Sequence, residues 1–188
     1  MLSFLSIVVA VGAAIYLLRQ RETRDTGGTS HAAAMTEDQI KQGWRKLGFF
    51  CELDAEKRVW TLTGSRAGLL YFPDLLLGYV NDPQNAADGS RQHYDPYGSL
   101  EIMTYPEAGF DSHAIRGSLT ALTHLAELVE QRLALAEPGD QIKIREDYAP
   151  ASPFALLLDV RPDGFDPAAA DRERLGISAQ PRPEKPKV

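Results

Sequence analysis

Cysteine is almost absent from this chain of 188 residues, in which Cys51 is the only one. No intramolecular disulfide can therefore form, so nothing in the composition ties the protein to an oxidising compartment. Cys51 lies between Phe50 and Glu52 in a strand-like stretch. A lone cysteine in such a pattern is typical of a small buried hydrophobic residue, not of a nucleophile.

Motifs that specify a reaction are also lacking. The glycine-flanked stretch GSRAG at 64–68 has neither the Gly-Lys-Ser/Thr of a phosphate loop nor a nucleophile elbow, so it is expected to end a strand. No pair of histidines or cysteines has the spacing of a zinc site, and the aspartates do not alternate as in a calcium loop. The sequence predicts no cofactor and no metal site.

Positive charge is scarce in the central part of the chain. Residues 36–177 contain 14 basic and 23 acidic side chains, a net charge of −9, whereas the two ends together carry +3. An acidic domain repels phosphate backbones, which argues against nucleic acid as a direct ligand. A protein with a basic surface is the kind of partner that this charge favours.

The N-terminal stretch is the only long uncharged hydrophobic run. Residues 2–18 read LSFLSIVVAVGAAIYLL and would rise about 25 Å as a helix, enough for a short membrane span. The first basic side chains follow it, at Arg19, Arg21 and Arg24. A cleaved signal peptide would instead carry basic residues before the apolar run. By the positive-inside rule we expect a single-pass anchor in an inner membrane, with the C-terminal domain in the cytoplasm.

Two alternatives to this anchor stay open: a buried core helix, and a translation start at Met35. A strip of small residues, Ser6, Ala10 and Ala14, recurs every fourth position and would let two membrane helices approach closely. The sequence therefore also predicts lipid contact through 2–18 and a homodimer through the membrane helix.

The remaining chain divides by composition into a linker, one domain and a tail. Residues 19–35 are polar and contain Gly27 and Gly28, as a flexible linker would. Residues 36–177 form the acidic domain. Residues 178–188, SAQPRPEKPKV, are rich in proline and lysine and are expected to be disordered.

Periodicity and turn signals give the elements of the domain. Thr36 and Gln39 form a capping box that predicts a helix ending at Gly48. FFCELD and VWTLTG predict a hairpin with its turn at 54–57. Residues 68–80, GLLYFPDLLLGYV, are too short and too interrupted for a second membrane span, so we expect a strand followed by a buried turn or short helix.

The second half predicts a strand at SLEIMTY and then the longest helix, capped by Asp111 or Ser112 and running to about Ala136. Its apolar face would comprise Ile115, Leu119, Leu122, Ala126, Val129 and Leu133. QIKIRED predicts a strand with one wet face, and FALLLDV a central strand. Asp166-Pro167 predicts a last short helix. The fold class is α+β, with a mostly antiparallel or mixed sheet and the long helix packed on one face.

The long polar loop at 81–98 contains the candidate site residues. Tyrosines flanked by acids suit a surface that binds a basic protein, because tyrosine supplies contact area and acids steer encounter. An ordinary solvent-facing loop with its tyrosines tucked underneath is the competing interpretation. The candidate partner-binding residues are Asp82, Asp88, His93, Tyr94, Asp95 and Tyr97.

Two functions from different classes are compatible with these residues. The first is a membrane-anchored, non-catalytic binding module, either an immunity-type inhibitor of a toxin or an adaptor that recruits a basic protein. The alternative is a membrane-tethered hydrolase that uses His93 with Asp95 or Asp88. A hydrolase needs a concave site with converging polar groups, whereas a binding module needs an exposed surface.

Overall fold

A computed structural model describes residues 35–171, so the predicted anchor, most of the linker and the predicted tail lie outside the described residues. The helices are α1 (Glu37–Leu47), α2 (Arg66–Leu69), α3 (Tyr71–Asn81) and α4 (Leu119–Ala134). The strands are β1 (Phe50–Asp54), β2 (Val59–Ser65), β3 (Arg91–His93), β4 (Glu101–Thr104), β5 (Gly109–Phe110), β6 (Ala114–Gly117), β7 (Gln141–Ile144) and β8 (Ala155–Arg161). Short 3₁₀ helices lie at Pro83–Asn85 and Pro167–Ala169.

The eight strands form two four-stranded mixed sheets of the same internal pattern. In the first sheet the order is β1-β2-β8-β7, and in the second it is β3-β4-β6-β5. Each sheet has a parallel central pair, β2 with β8 and β4 with β6, flanked by an antiparallel strand on either side. The α+β class is confirmed, but the expectation of one sheet is wrong, because the chain builds the second sheet between β2 and β7 of the first.

The start and end of α1 follow the sequence signals directly. Thr36 and Gln39 form the capping box, in which Thr36 N donates to Gln39 Oε1 at 2.8 Å. Gly48 ends the helix in the left-handed region, with φ of 86°. A residue with a Cβ is strained in that region, so glycine ends the helix there at a lower conformational energy. Both predictions are confirmed, as is the β1–β2 hairpin.

Residues 68–80 differ from the prediction, since they form helices and no strand. Ser65 caps α2, its hydroxyl accepting from Gly68 N at 3.1 Å, and α3 follows almost at once. Pro73 is compatible with α3 because it occupies the first turn, where its missing N–H has no intrahelical acceptor to lose. Apolar runs of this length do not distinguish a strand from a buried helix.

The longest helix begins later than predicted. Its cap is Ser118, whose hydroxyl accepts from Ala121 N at 3.1 Å, and neither Asp111 nor Ser112 caps it. Asp111 instead makes a turn between β5 and β6, accepting from the backbone N–H groups of His113 and Ala114. Ile115 is a buried residue of β6. Ile115 and Leu119 are four residues apart, and residues at that spacing share a face in a helix and also in a strand. The spacing therefore could not show that Ile115 belongs to a strand.

A single hydrophobic cluster joins α1, α3 and α4 to the inner faces of both sheets. In the first sheet the inward rows are Leu53-Trp60-Leu156-Ile144 and Cys51-Leu62-Leu158-Ile142, as the strand registers require. Cys51 is buried, as predicted. The prediction of a central strand at FALLLDV is confirmed by β8, and that of a strand with a wet face by β7. Only a 3₁₀ turn of the last predicted helix lies within the described residues.

Candidate protein-binding surface

The loop between α3 and β4 carries the predicted site residues, and it is more ordered than its composition suggests. It contains the 3₁₀ turn and the short strand β3. Asp82 caps the turn, its carboxylate accepting from Gln84 N at 3.0 Å. Thr104 ties the loop down from β4, donating from Oγ1 to Asn85 O at 2.6 Å and from N to Ser90 O at 2.9 Å. Asp88 lies exposed in this held loop.

His93 lies exposed on β3, and its carboxylate neighbour is Glu101. Its Nε2 is 3.5 Å from Glu101 Oε2, and Arg91 Nη1 is 3.7 Å from the other oxygen of that carboxylate. The hydrolase hypothesis pairs His93 with Asp95 or Asp88. Among the ion-pair distances of the described residues, the carboxylate near His93 is instead that of Glu101, the residue opposite it on β4.

Asp95 is buried, with 8% of its surface exposed, so the expectation that it faces a partner on an open surface is wrong. Its Oδ1 accepts from Leu100 N at 2.6 Å, and its Oδ2 accepts from Ser99 Oγ at 2.7 Å and Tyr97 N at 3.2 Å. A short acidic side chain can satisfy the backbone two to five residues further on, which is why it lies inward at this turn. Asp95 therefore organises the loop.

The two predicted tyrosines are both half-buried. The Tyr94 hydroxyl donates to Gln92 Oε1 at 2.7 Å. The Tyr97 hydroxyl donates to Asp171, whose Oδ2 also accepts from Trp44 Nε1 at 2.8 Å. Buried Asp171 thus links α1, the loop and the end of the described chain. Of the six predicted residues, Tyr97 is the one that lines either of the two depressions described next.

The concave surface beside Tyr97 runs along the free edge of β1, and we call it the edge groove. Its volume is about 700 Å³. Consecutive residues of β1 line it, although alternate residues of a strand point to opposite faces. Since residues from both faces of β1 line the groove, the groove runs along the edge of this strand. Its lining residues are Trp44, Phe50, Cys51, Glu52, Leu53, Asp54, Ala55, Glu56, Tyr97, Ser99, Ala170 and Asp171.

A second depression, the face groove, covers the outer face of the same sheet. It has a volume of about 600 Å³ and shares Phe50, Glu52 and Ala170 with the edge groove. Only alternate strand residues line it, which is the pattern of a sheet face. Its lining residues are Phe50, Glu52, Thr61, Thr63, Gln141, Leu157, Asp159, Arg161, Phe165, Asp166, Ala169 and Ala170.

Several acids of the two grooves are compensated by neighbouring cations. Asp54 contacts Lys57 at 2.7 Å, and that hydrogen bond lowers the pKa of Asp54. Asp159 contacts Arg161 at 2.6 Å. Asp166 contacts Arg45 at 2.7 Å, and the arginine lowers the pKa of this carboxyl.

Glu52 and Glu56 differ from these acids. Within residues 35–171, neither takes part in an ion pair. Both side chains belong to exposed residues that line the edge groove. The charges of both acids contribute to the raised pKa of Lys57, so that lysine partly offsets them without forming an ion pair. The alternation Glu52-x-Asp54-x-Glu56 is the sequence signal that would have drawn attention here.

The chemistry of Cys51 is limited by its position at the floor of the edge groove. Burial raises the pKa of its thiol well above the ordinary value, and the nearby Asp95 and Glu52 add to that rise. The thiol is therefore protonated at neutral pH and behaves as an apolar side chain. In residues 35–171 no group of three or more His, Cys, Asp or Glu side chains is arranged to hold a metal ion.

Comparison with protein-family models, curated proteins and solved structures finds no match to this chain. None of the helices between residues 35 and 171 has the length and apolar character needed to cross a membrane.

Proposed function

We propose that this protein is a membrane-anchored, non-catalytic binding module whose edge groove holds a basic part of another protein. The observation that supports this best is the presence of exposed acids and aromatic side chains in one concave surface. Glu52 and Glu56 supply exposed negative charge outside any ion pair of the described residues, and Phe50 and Tyr97 supply contact area. The module would act as an immunity-type inhibitor of a toxin or as an adaptor that recruits a cytoplasmic protein.

Electrostatics supports a basic partner over a neutral one. Residues 35–171 contain 12 basic and 22 acidic side chains, a net charge of −10. An electric field of one sign speeds the encounter with an oppositely charged surface. At physiological salt concentration this attraction is largely screened beyond about 8–10 Å. Buried aromatic contacts then determine how long the complex lasts. The proposed partner-binding residues are therefore Glu52, Glu56, Phe50 and Tyr97, whereas Asp95 supports the loop.

The membrane location is proposed from the sequence of residues 2–18, which lie outside the described residues. In this proposal they anchor the chain in the inner membrane, and Arg19, Arg21 and Arg24 hold the domain on the cytoplasmic side. Fusion of green fluorescent protein or alkaline phosphatase after Val188 tests the orientation. Bright fluorescence with silent phosphatase is expected, and an active phosphatase would place the domain on the opposite side.

The binding function is tested by capture of the partner from solubilised membranes, followed by kinetic measurement of the purified pair. Changing Glu52→Gln and Glu56→Gln together should slow association, and the loss should shrink as salt is raised. Changing Glu127→Gln and Glu130→Gln on the exposed side of α4 is the matched control, because it removes the same charge away from the grooves. Equal effects of the two double variants would show that the groove is not the binding surface.

A further inference from the structure

The free edge of β1 indicates the mode by which a partner would bind. The strand order β1-β2-β8-β7 leaves β1 with a neighbour on one side only. Every second residue of an antiparallel edge strand directs its N–H and C=O away from its neighbour, toward the open side. Among the described residues, no backbone hydrogen bond joins β1 to a strand other than β2. Within residues 35–171 the backbone groups on that side of β1 therefore have no partner strand, and the edge groove lies along the same strand.

The edge groove lies beside a strand that is long enough to pair with an added strand. β1 supplies five residues, a length of about 17 Å. Cys51 and Trp44 are buried and form its floor. Tyr97 and Asp171, joined by the hydrogen bond from the tyrosine hydroxyl, also line the groove. A segment lying beside β1 in this groove would have backbone partners on its β1 side.

We propose that the partner contributes an extended basic segment, which adds as a fifth strand to the free edge of β1. This proposal rests on the proposed function, because it names the mode of binding at the same groove. Backbone hydrogen bonds to β1 would supply affinity that does not depend on the side chains of the segment, and basic side chains would meet Glu52 on β1 and Glu56 in the turn after it. Opposite charges on neighbouring strands stabilise such a pair, so the acids select a basic segment.

A second copy of this chain is a poorer occupant of the edge. Pairing of β1 with another β1 would bring Glu52 and Asp54 of one copy against the same acids of the other. Like charges directly opposite each other on adjacent strands are destabilising. Acidic side chains on an edge thus discourage self-association while leaving the edge open to a basic strand.

The basic stretch near the chain's own C-terminus is also a poor strand. It reads PRPEKPKV, with prolines at 181, 183 and 186. Proline has no N–H, so two successive donors are missing on one side of such a strand and one on the other. The free edge of β1 therefore fits a segment from another protein better than this stretch.

The experiment uses the full-length chain in detergent micelles and a fluorescent probe peptide of about seven residues, in which Lys or Arg alternates with Val or Thr. Three versions are compared: unmodified, N-methylated at the odd positions and N-methylated at the even positions. Strand addition predicts that one methylation series weakens binding about tenfold or more, whereas the other changes it less than about threefold. Hydrogen exchange should show new amide protection within β1.

Two observations would overturn strand addition: absence of peptide binding, and equal effects of the two methylation series. In either case, a slowed association of the captured partner in the Glu52→Gln/Glu56→Gln variant would leave the proposed function standing. Failure of that variant to affect the captured partner would count against the proposed function itself, whatever the methylation series shows.

The other occupants have their own signatures. If removal of residues 178–188 raises peptide affinity about tenfold or more, the chain's own tail fills the groove and the proposal is wrong. If sedimentation shows a dimer that the peptide dissociates, a second copy fills it and the proposal is equally wrong. A segment of another protein is supported if the shortened chain binds the peptide with unchanged affinity and sedimentation shows no dimer that the peptide dissociates.

Discussion

Replacing Asp95 with alanine should destabilise the domain strongly, although the residue belongs to a polar loop. The carboxylate accepts three hydrogen bonds, and the N–H of buried Leu100 depends on it at 2.6 Å. Leaving a buried N–H without an acceptor costs about 1–3 kcal/mol. Loss of the bonds from Ser99 and Tyr97, which water can partly replace, adds about 0.5–1 kcal/mol each. The expected total is about 2–5 kcal/mol.

Asp88 provides the matched control, since it is an exposed aspartate of the same loop. Asp88→Ala should change stability by less than about 0.5 kcal/mol. Urea unfolding, followed by the fluorescence of buried Trp44 and Trp60, measures both values under identical conditions. Asp95→Asn should fall between the two variants, because the amide keeps one acceptor oxygen but turns an N–H₂ group toward one of the donors.

The result that would refute this reasoning is an Asp95→Ala variant as stable as Asp88→Ala. That outcome would mean that Leu100 N–H finds another acceptor or that the loop reorganises at little cost. It would also restore Asp95 as a candidate for direct partner contact. A large loss of stability would instead confirm that Asp95 acts through the shape of the loop.

Three further predictions concern the rest of the domain. Gly68→Ala should destabilise the domain by about 2 kcal/mol or more, because the alanine Cβ would lie 2.1 Å from Gly48 O. This cost should exceed the gain from the higher helix propensity of alanine. An unchanged midpoint of urea unfolding would contradict the close approach of the two segments. Cys51 should resist alkylation while the protein is folded and react fully in urea, and fast labelling of the folded protein would contradict its burial. Since the folded pKa of Cys51 is raised, its contribution to stability is complete below the unfolded pKa, about 8.5, and is lost as the pH rises above it. A chain that begins at Met35 should stay soluble and unfold cooperatively, because the hydrophobic cluster lies within residues 35–171; aggregation without a thermal transition would contradict this.

Local signals were sufficient for the parts of the fold that depend on near neighbours in sequence. The capping box at Thr36, the left-handed stop at Gly48 and the hairpin of β1 with β2 each need contacts over a few residues only. The buried state of Cys51 followed from its place in a strand-like stretch between Phe50 and Glu52. Such features are readable because the residues that determine them lie within one turn or one hairpin.

The candidate site depended on contacts between distant segments, so the sequence located it only in part. Tyr97 was identified, yet its role follows from Asp171, which is 74 residues away. Glu52 and Glu56 were passed over, because nothing in the local sequence says that β1 is an edge strand. That position is decided by the parallel pairing of β2 with β8, which turns the other side of β1 toward the groove.

By itself, the amino-acid sequence determined the α+β class and the acidic charge of the domain. Composition and short-range periodicity carry that information, and no tertiary contact is needed for it. The tertiary structure alone decided that there are two sheets, that Asp95 is buried, and that exposed acids line the groove beside an edge strand. Each of these features depends on which segments, distant in sequence, lie side by side in the fold. The energies of such long-range contacts cannot be inferred from a short stretch of sequence.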